Sequence, residues 1–233
     1  MSAAGLTSSW VDQGRHYARL ARGYVVSRRL AGYWLLLLIL VGMVAWGGEW
    51  GRGHAPTTLR MLVFLLPAAT SSVIAVSLWS PFGETERAAG TWLPLGRALH
   101  LASMLALAQV INAVALATWV PEGDATPWDA YLLRHTALLV GIALLAAMVI
   151  DSRLSWVAPA LVAMPGLVIG YIRVERAQAE EQELAFFHDA WHPMLRPDGD
   201  LVALLLTLGM FVAGSVAVIR RGERPAEPDD AAG

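Results

Sequence analysis

Long apolar runs almost empty of charge recur along this chain, and they constrain its fold more than any other feature. Runs of about 18 or more such residues read as membrane spans, because a helix needs roughly 20 residues to cross about 30 Å of hydrocarbon. Six can be placed, at Gly32–Gly48, Met61–Ser80, Leu99–Trp119, Tyr131–Ile150, Leu154–Ile172 and Leu201–Ile219. Composition agrees. The chain is 56% hydrophobic and 15% charged, where a soluble domain carries roughly 25% charged residues. The expectation is an all-α integral membrane protein with six transmembrane helices.

Charge and chemistry narrow the function classes. The formal net charge is −2, so no bulk basic field argues for nucleic acid. Every basic residue apart from histidine is arginine. There is no cysteine, which removes disulfides, thiol catalysis and cysteine-ligated metals. No apolar core of signal type stands within residues 1–30, so this segment is expected to stay in the mature protein.

Arginine placement gives an expected orientation. Five arginines precede the first span, and others fall at 81–98, at 151–153 and after 219. The remaining loops hold fewer, so both termini are expected to be cytoplasmic. Trp34, Trp46, Trp50, Trp79, Trp119 and Trp156 fall near span ends, where amphipathic rings prefer the headgroup zone. In "WVDQGRHYARLARGYVVSRRL", Arg15, Arg19, Arg22 and Arg29 share one helical face, while Tyr17, Leu20, Ala21 and Tyr24 share the other. Such a helix is expected to lie in the inner interface with its arginines on anionic headgroups, as an elbow leading into the bundle. The chain thus divides into an interfacial segment 1–31, a transmembrane domain 32–219 and a solvated tail 220–233. The long outer segment 173–200, rich in Phe, Trp and breakers in its second half, is a candidate to dip into the membrane.

Between the second and third spans stands "GETERAAGTWLPLGRALHL", residues 83–101. Its charges offer contacts to a soluble partner, and Gly90 and Pro94 allow a sharp turn back into the bilayer. An ordinary solvated turn accounts for the same residues. The segment resembles the one following the second span in ABC transporter permeases of the drug- and polysaccharide-export class. In that family a Glu-x-Glu-Arg-x-x-Gly-Thr pattern, then leucines, a proline and an arginine, forms the helix that docks on the ATPase subunit. Glu84, Glu86, Arg87, Gly90, Thr91, Pro94 and Arg97 match it, although only Trp92 and Leu93 stand where the family form carries more leucines. The resemblance implies coupling to a separate ABC ATPase that holds ATP and Mg, and a second permease copy or paralogue beside this one. No G-x-x-x-x-G-K-[ST] loop occurs in this lysine-free chain, so no nucleotide cofactor is expected in it.

Polar residues inside the spans are candidates for a translocation path: Thr70 and Ser71 in the second span, Gln109 and Asn112 on one face of the third. Helix-to-helix hydrogen bonding, at about 0.6–2 kcal/mol, explains them equally. Pro67, Pro159 and Pro165 interrupt spans, and "GLVIG" at 166–170 is a small-xxx-small pattern that permits close helix approach. His188 and His192, four apart, have metal-ligand spacing but no third ligand. His100 and His135, at span starts, read as interfacial. The function expected is a permease subunit of an ATP-driven exporter in the cell membrane, itself not an enzyme. A membrane anchor or sensor subunit is the alternative, and a metal enzyme built on His188 and His192 the third reading.

Overall fold

The computed structural model describes residues 15, 17–54, 56–78, 92–120, 128–150, 154–165, 168 and 200–221, and all regular structure among them is helical. In chain order the helices are α1 (17–27), α2 (Leu30–His54), α3 (Pro56–Ser77), α4 (Trp92–Trp119), α5 (Trp128–Val149), α6 (157–165) and α7 (Leu201–Arg221). Four helical stretches are long and apolar enough to cross a membrane: Leu30–Gly51, Trp92–Trp119, Asp129–Val149 and Leu201–Arg221. A shorter apolar stretch, Leu65–Ser77, lies in α3. The molecule is therefore a helical membrane protein. Of the fifth expected span, Leu154–Ile172, the described part holds the turn at 154–156, α6 and the single helical residue Val168.

α1 and α2 are separated by a break at Arg28–Arg29, where Arg29 adopts φ 52°. A left-handed non-glycine residue costs roughly 1–2 kcal/mol, so the surrounding contacts hold this corner in place. Its hinge neighbour Arg28 is only 2% exposed, with its guanidinium 5.0 Å from the centroid of the Tyr24 ring. At the other end of the chain, Asp200 caps α7: its Oδ1 accepts from the backbone N–H of Val202 (2.8 Å) and Ala203 (3.0 Å). Arg220 and Arg221 occupy the last turn of the same helix, so both ends of its dipole carry the favourable charge.

α4 begins at Trp92, seven residues before the expected start at Leu99. Pro94 therefore does not turn the chain back into the bilayer; it sits in the first turn of α4, where the missing N–H has no intrahelical partner to lose. The Trp92 ring lies across Gly96, where a Cβ would come within 2.9 Å of it, and meets Tyr24 edge-on at 5.8 Å.

The helices alternate in direction. Asn112 on α4 donates to Thr136 on α5 at 3.1 Å, equally far from the ends of the link joining them, as in an antiparallel hairpin. α5 and α7 run parallel, with Gly141 against Met210 and Phe211, and Leu144 against Gly214. α2 and α4 also run parallel, joined near their ends by Trp119 Nε1 donating to the Val44 carbonyl at 2.7 Å. α5 is the central helix: 61% of its apolar window is buried, against 17% for α2 and 22% for α7.

Two glycine contacts set the spacing. A Cβ at Gly141 would fall 2.5 Å from Phe211 N and 2.6 Å from Met210 C, and one at Gly214 2.7 Å from Gly141 O. Along α2, a Cβ at Gly48 would fall 2.4 Å from Thr118 Cβ. Close backbone approach, which gives dispersion contact in the absence of a hydrophobic drive between helices, thus falls on these glycines. Gly166 and Gly170 lie outside the described residues.

Candidate functional site

Two groups of buried polar residues bond between helices, and the first lies at the two described ends that flank residues 79–91. α3 ends beside the start of α4, and α1 packs on α4 through Tyr24. His100, on the third turn of α4's buried face, is the centre. Ser77 Oγ lies 2.7 Å from the Ile74 carbonyl and 3.1 Å from His100 Nε2. The serine has one proton, and a carbonyl can only accept it. Ser77 therefore donates to Ile74, and His100 Nε2–H donates to Ser77. In the neutral ring this leaves Nδ1 as acceptor for the Tyr24 hydroxyl, 3.2 Å away.

The result is a directed chain, Tyr24 to His100 to Ser77 to the α3 backbone, spanning three helices. Arg28 and Arg97, 2% and 6% exposed, are the buried arginines of the same helix ends. His100, whose position near a span start reads as interfacial, is 3% exposed and turned into the bundle. A histidine with a partner at each ring nitrogen can be fully buried without leaving a polar atom stranded.

His135 is likewise turned inward. It is fully buried, its Nδ1–H donates to the Tyr131 carbonyl at 2.6 Å, and its ring stacks on Tyr131 with centroids 3.7 Å apart. Trp119, expected as an interfacial anchor, is 7% exposed and clamps α4 to α2 through the Val44 bond. Trp46 and Trp50 are exposed.

The second polar group lies midway along α4. Asn112 Nδ2 donates to Thr136 Oγ1 and to Gln109 Oε1 at 3.3 Å, while Asn112 Oδ1 meets no donor among the described residues. Thr70 Oγ1 donates to the Leu66 and Pro67 carbonyls and Ser71 Oγ to that of Ala68. These two hydroxyls are satisfied within α3, one turn back, and do not join Asn112 in a common polar track. The four residues expected to mark a path are thus split: Gln109 and Asn112 bond each other and α5, whereas Thr70 and Ser71 bond their own helix.

Of the expected coupling residues, Pro94 and Arg97 lie in the first two turns of α4, and Glu84, Glu86, Arg87, Gly90 and Thr91 lie outside the described residues. Arg15, just before α1, and Arg19 and Arg22 on it are exposed, while Leu20 is half-buried and Tyr24 buried. Tyr17 and Ala21 are exposed, so the covered part of the apolar face is narrower than the spacing implied. His188 and His192 are outside the described residues, among which no three His, Asp or Glu side chains are grouped as metal ligands.

Sequence reasoning missed Gly48, Gly141 and Gly214 as contact points, and Tyr24–His100–Ser77 as a unit. Glycines recur throughout the apolar runs, so the three carried no distinguishing local signal. No family model matches the chain, and no curated protein or solved structure matches it either.

Proposed function

We propose that the chain is the membrane-spanning permease subunit of an ATP-driven exporter in the cell membrane, with six spans and both ends inside. It would couple to a separate ATPase through residues 83–98 and work beside a second permease. In this reading α1 is the interfacial elbow, with Arg15, Arg19 and Arg22 toward anionic headgroups. Movement of the charged segment after α3 would tilt α3 and α4 between inward- and outward-open arrangements.

One observation carries the reading: the helices on either side of the charged segment are tied to each other and to α1 by the Tyr24–His100–Ser77 chain. A push on residues 79–91 would therefore reach three helices as one unit instead of being lost in a loose loop. The anchor-subunit reading draws on a different fact. The mid-bundle amides and hydroxyls bond to each other or to their own helix, as in a bundle that need not open.

Purification from native membranes separates the two. The permease reading expects an ATP-hydrolysing protein to co-purify, and Glu86→Ala to uncouple its hydrolysis from transport while leaving insertion intact. A complex containing no nucleotide-hydrolysing subunit, or full coupling in the Glu86 variant, would sink the proposal.

A further inference from the structure

α7 presents two unlike faces. One carries Ala203, Thr207, Gly214 and Val218, all buried against the bundle. About a third of a turn around the helix lies an outward groove of about 470 Å³. Gly209, Ala213 and Ala217 form its small-residue floor, with Val212 and Val216 along one edge. A Cβ at Gly209 would meet nothing within 4 Å, and Val212 and Val216 are 48% and 42% exposed. At one end the groove is closed by Arg220 and Arg221, both exposed.

We infer that this groove is a binding site for one anionic phospholipid. Its acyl chain would lie along Gly209–Ala217 and its phosphate against the paired guanidinium groups. The dimensions fit. From Arg221 back to Gly209 the helix rises about 18 Å, close to the roughly 15 Å depth of one leaflet's hydrocarbon. A chain whose headgroup stands at the arginines therefore ends near Gly209, where the floor has no side chain. The charge fits as well. Asp200, the described acidic residue on α7's approach, caps its opposite end, so the headgroup end offers two donors of a kind that bind phosphate bidentately.

A second copy of the chain suits the groove less well. Two copies inserted with the same orientation are related by a two-fold axis along the membrane normal. Packing α7 on α7 across that axis is parallel, and it sets each Arg220–Arg221 pair against its own duplicate. Like charges so juxtaposed repel, whereas a phosphate neutralises them.

The test uses the full chain in nanodiscs, with phosphatidylcholine or phosphatidylglycerol carrying a diazirine in the acyl chain. After irradiation, labelled peptides are mapped. Phosphatidylglycerol is expected to label 209–217 more than phosphatidylcholine. Each arginine near an anionic surface contributes about five-fold, so the preference should reach at least about an order of magnitude and collapse toward unity in Arg220→Gln/Arg221→Gln. Filling the floor with Ala213→Leu should remove labelling by both lipids. These residues are on the surface, so the variants are expected to keep the wild-type elution volume and helicity. Equal labelling by the two lipids overturns the inference, as does a preference that survives loss of both arginines. So does efficient disulfide formation between Ala213→Cys copies in membranes, or labelling that emerges only after residues 222–233 are removed; these assign the groove to a second copy or to the chain's own tail.

Discussion

Replacing Gly141 by alanine adds one methyl group, yet it should be among the most damaging single substitutions in the bundle. The new Cβ would stand 2.5 Å from Phe211 N, 2.6 Å from Met210 C and 2.8 Å from Met210 O. Carbon contacts are optimal near 3.5–4.0 Å, so the deficit is about 1 Å. All three neighbours are backbone atoms of α7, which no rotamer change can move aside. The helices must separate instead, and contacts along the shared face of α5 and α7 weaken together. Overpacking of this kind costs about 1–3 kcal/mol, and a backbone obstacle places it at the upper end. Against it stands a gain of about 0.5–1 kcal/mol for replacing glycine in a helix. The net expectation is a loss of about 2 kcal/mol. Gly209→Ala is the internal control: the same chemistry on α7, but with nothing within 4 Å of the new methyl, so only the gain of about 0.5–1 kcal/mol remains. Reversible unfolding in mixed micelles, followed by tryptophan fluorescence, measures both. A Gly141→Ala variant as stable as wild type, or one matched in its loss by Gly209→Ala, would refute the argument from backbone contact.

Two further substitutions probe polar contacts. Trp119→Phe keeps most of the ring but deletes the donor to the Val44 carbonyl; an expected loss of about 1 kcal/mol should appear in the same unfolding assay, and a neutral variant would show the bond to be energetically idle. Tyr24→Phe and Ser77→Ala act on opposite nitrogens of His100. A double-mutant cycle should give a coupling of about 0.5 kcal/mol or more, whereas strict additivity would mean that the imidazole does not link the two helices.

The sequence by itself determined the membrane class and, for α5 and α7, the helix ends to within about three residues, though not the early start of α4 at Trp92. A run such as Leu201–Arg221 can satisfy its backbone in hydrocarbon only as a helix, and its length follows from the bilayer. It also placed the arginines of α1 on one exposed face. It could not say which helix sits at the centre. Leu30–Gly51 and Asp129–Val149 have equal mean hydropathy, yet the first is 17% buried and the second 61%. Lipid is as apolar as a leucine-lined interior, so the periodic contrast that marks the inner face of a soluble helix is missing here. Position in the bundle was settled instead by shape: Gly141 and Gly214 let two backbones touch. Hydrogen bonding acted likewise, because His100 and Trp119, amphipathic residues near helix ends, could go inward once Tyr24, Ser77 and the Val44 carbonyl met them. Those partners lie 76, 23 and 75 residues away along the chain, and only the tertiary fold brings them together.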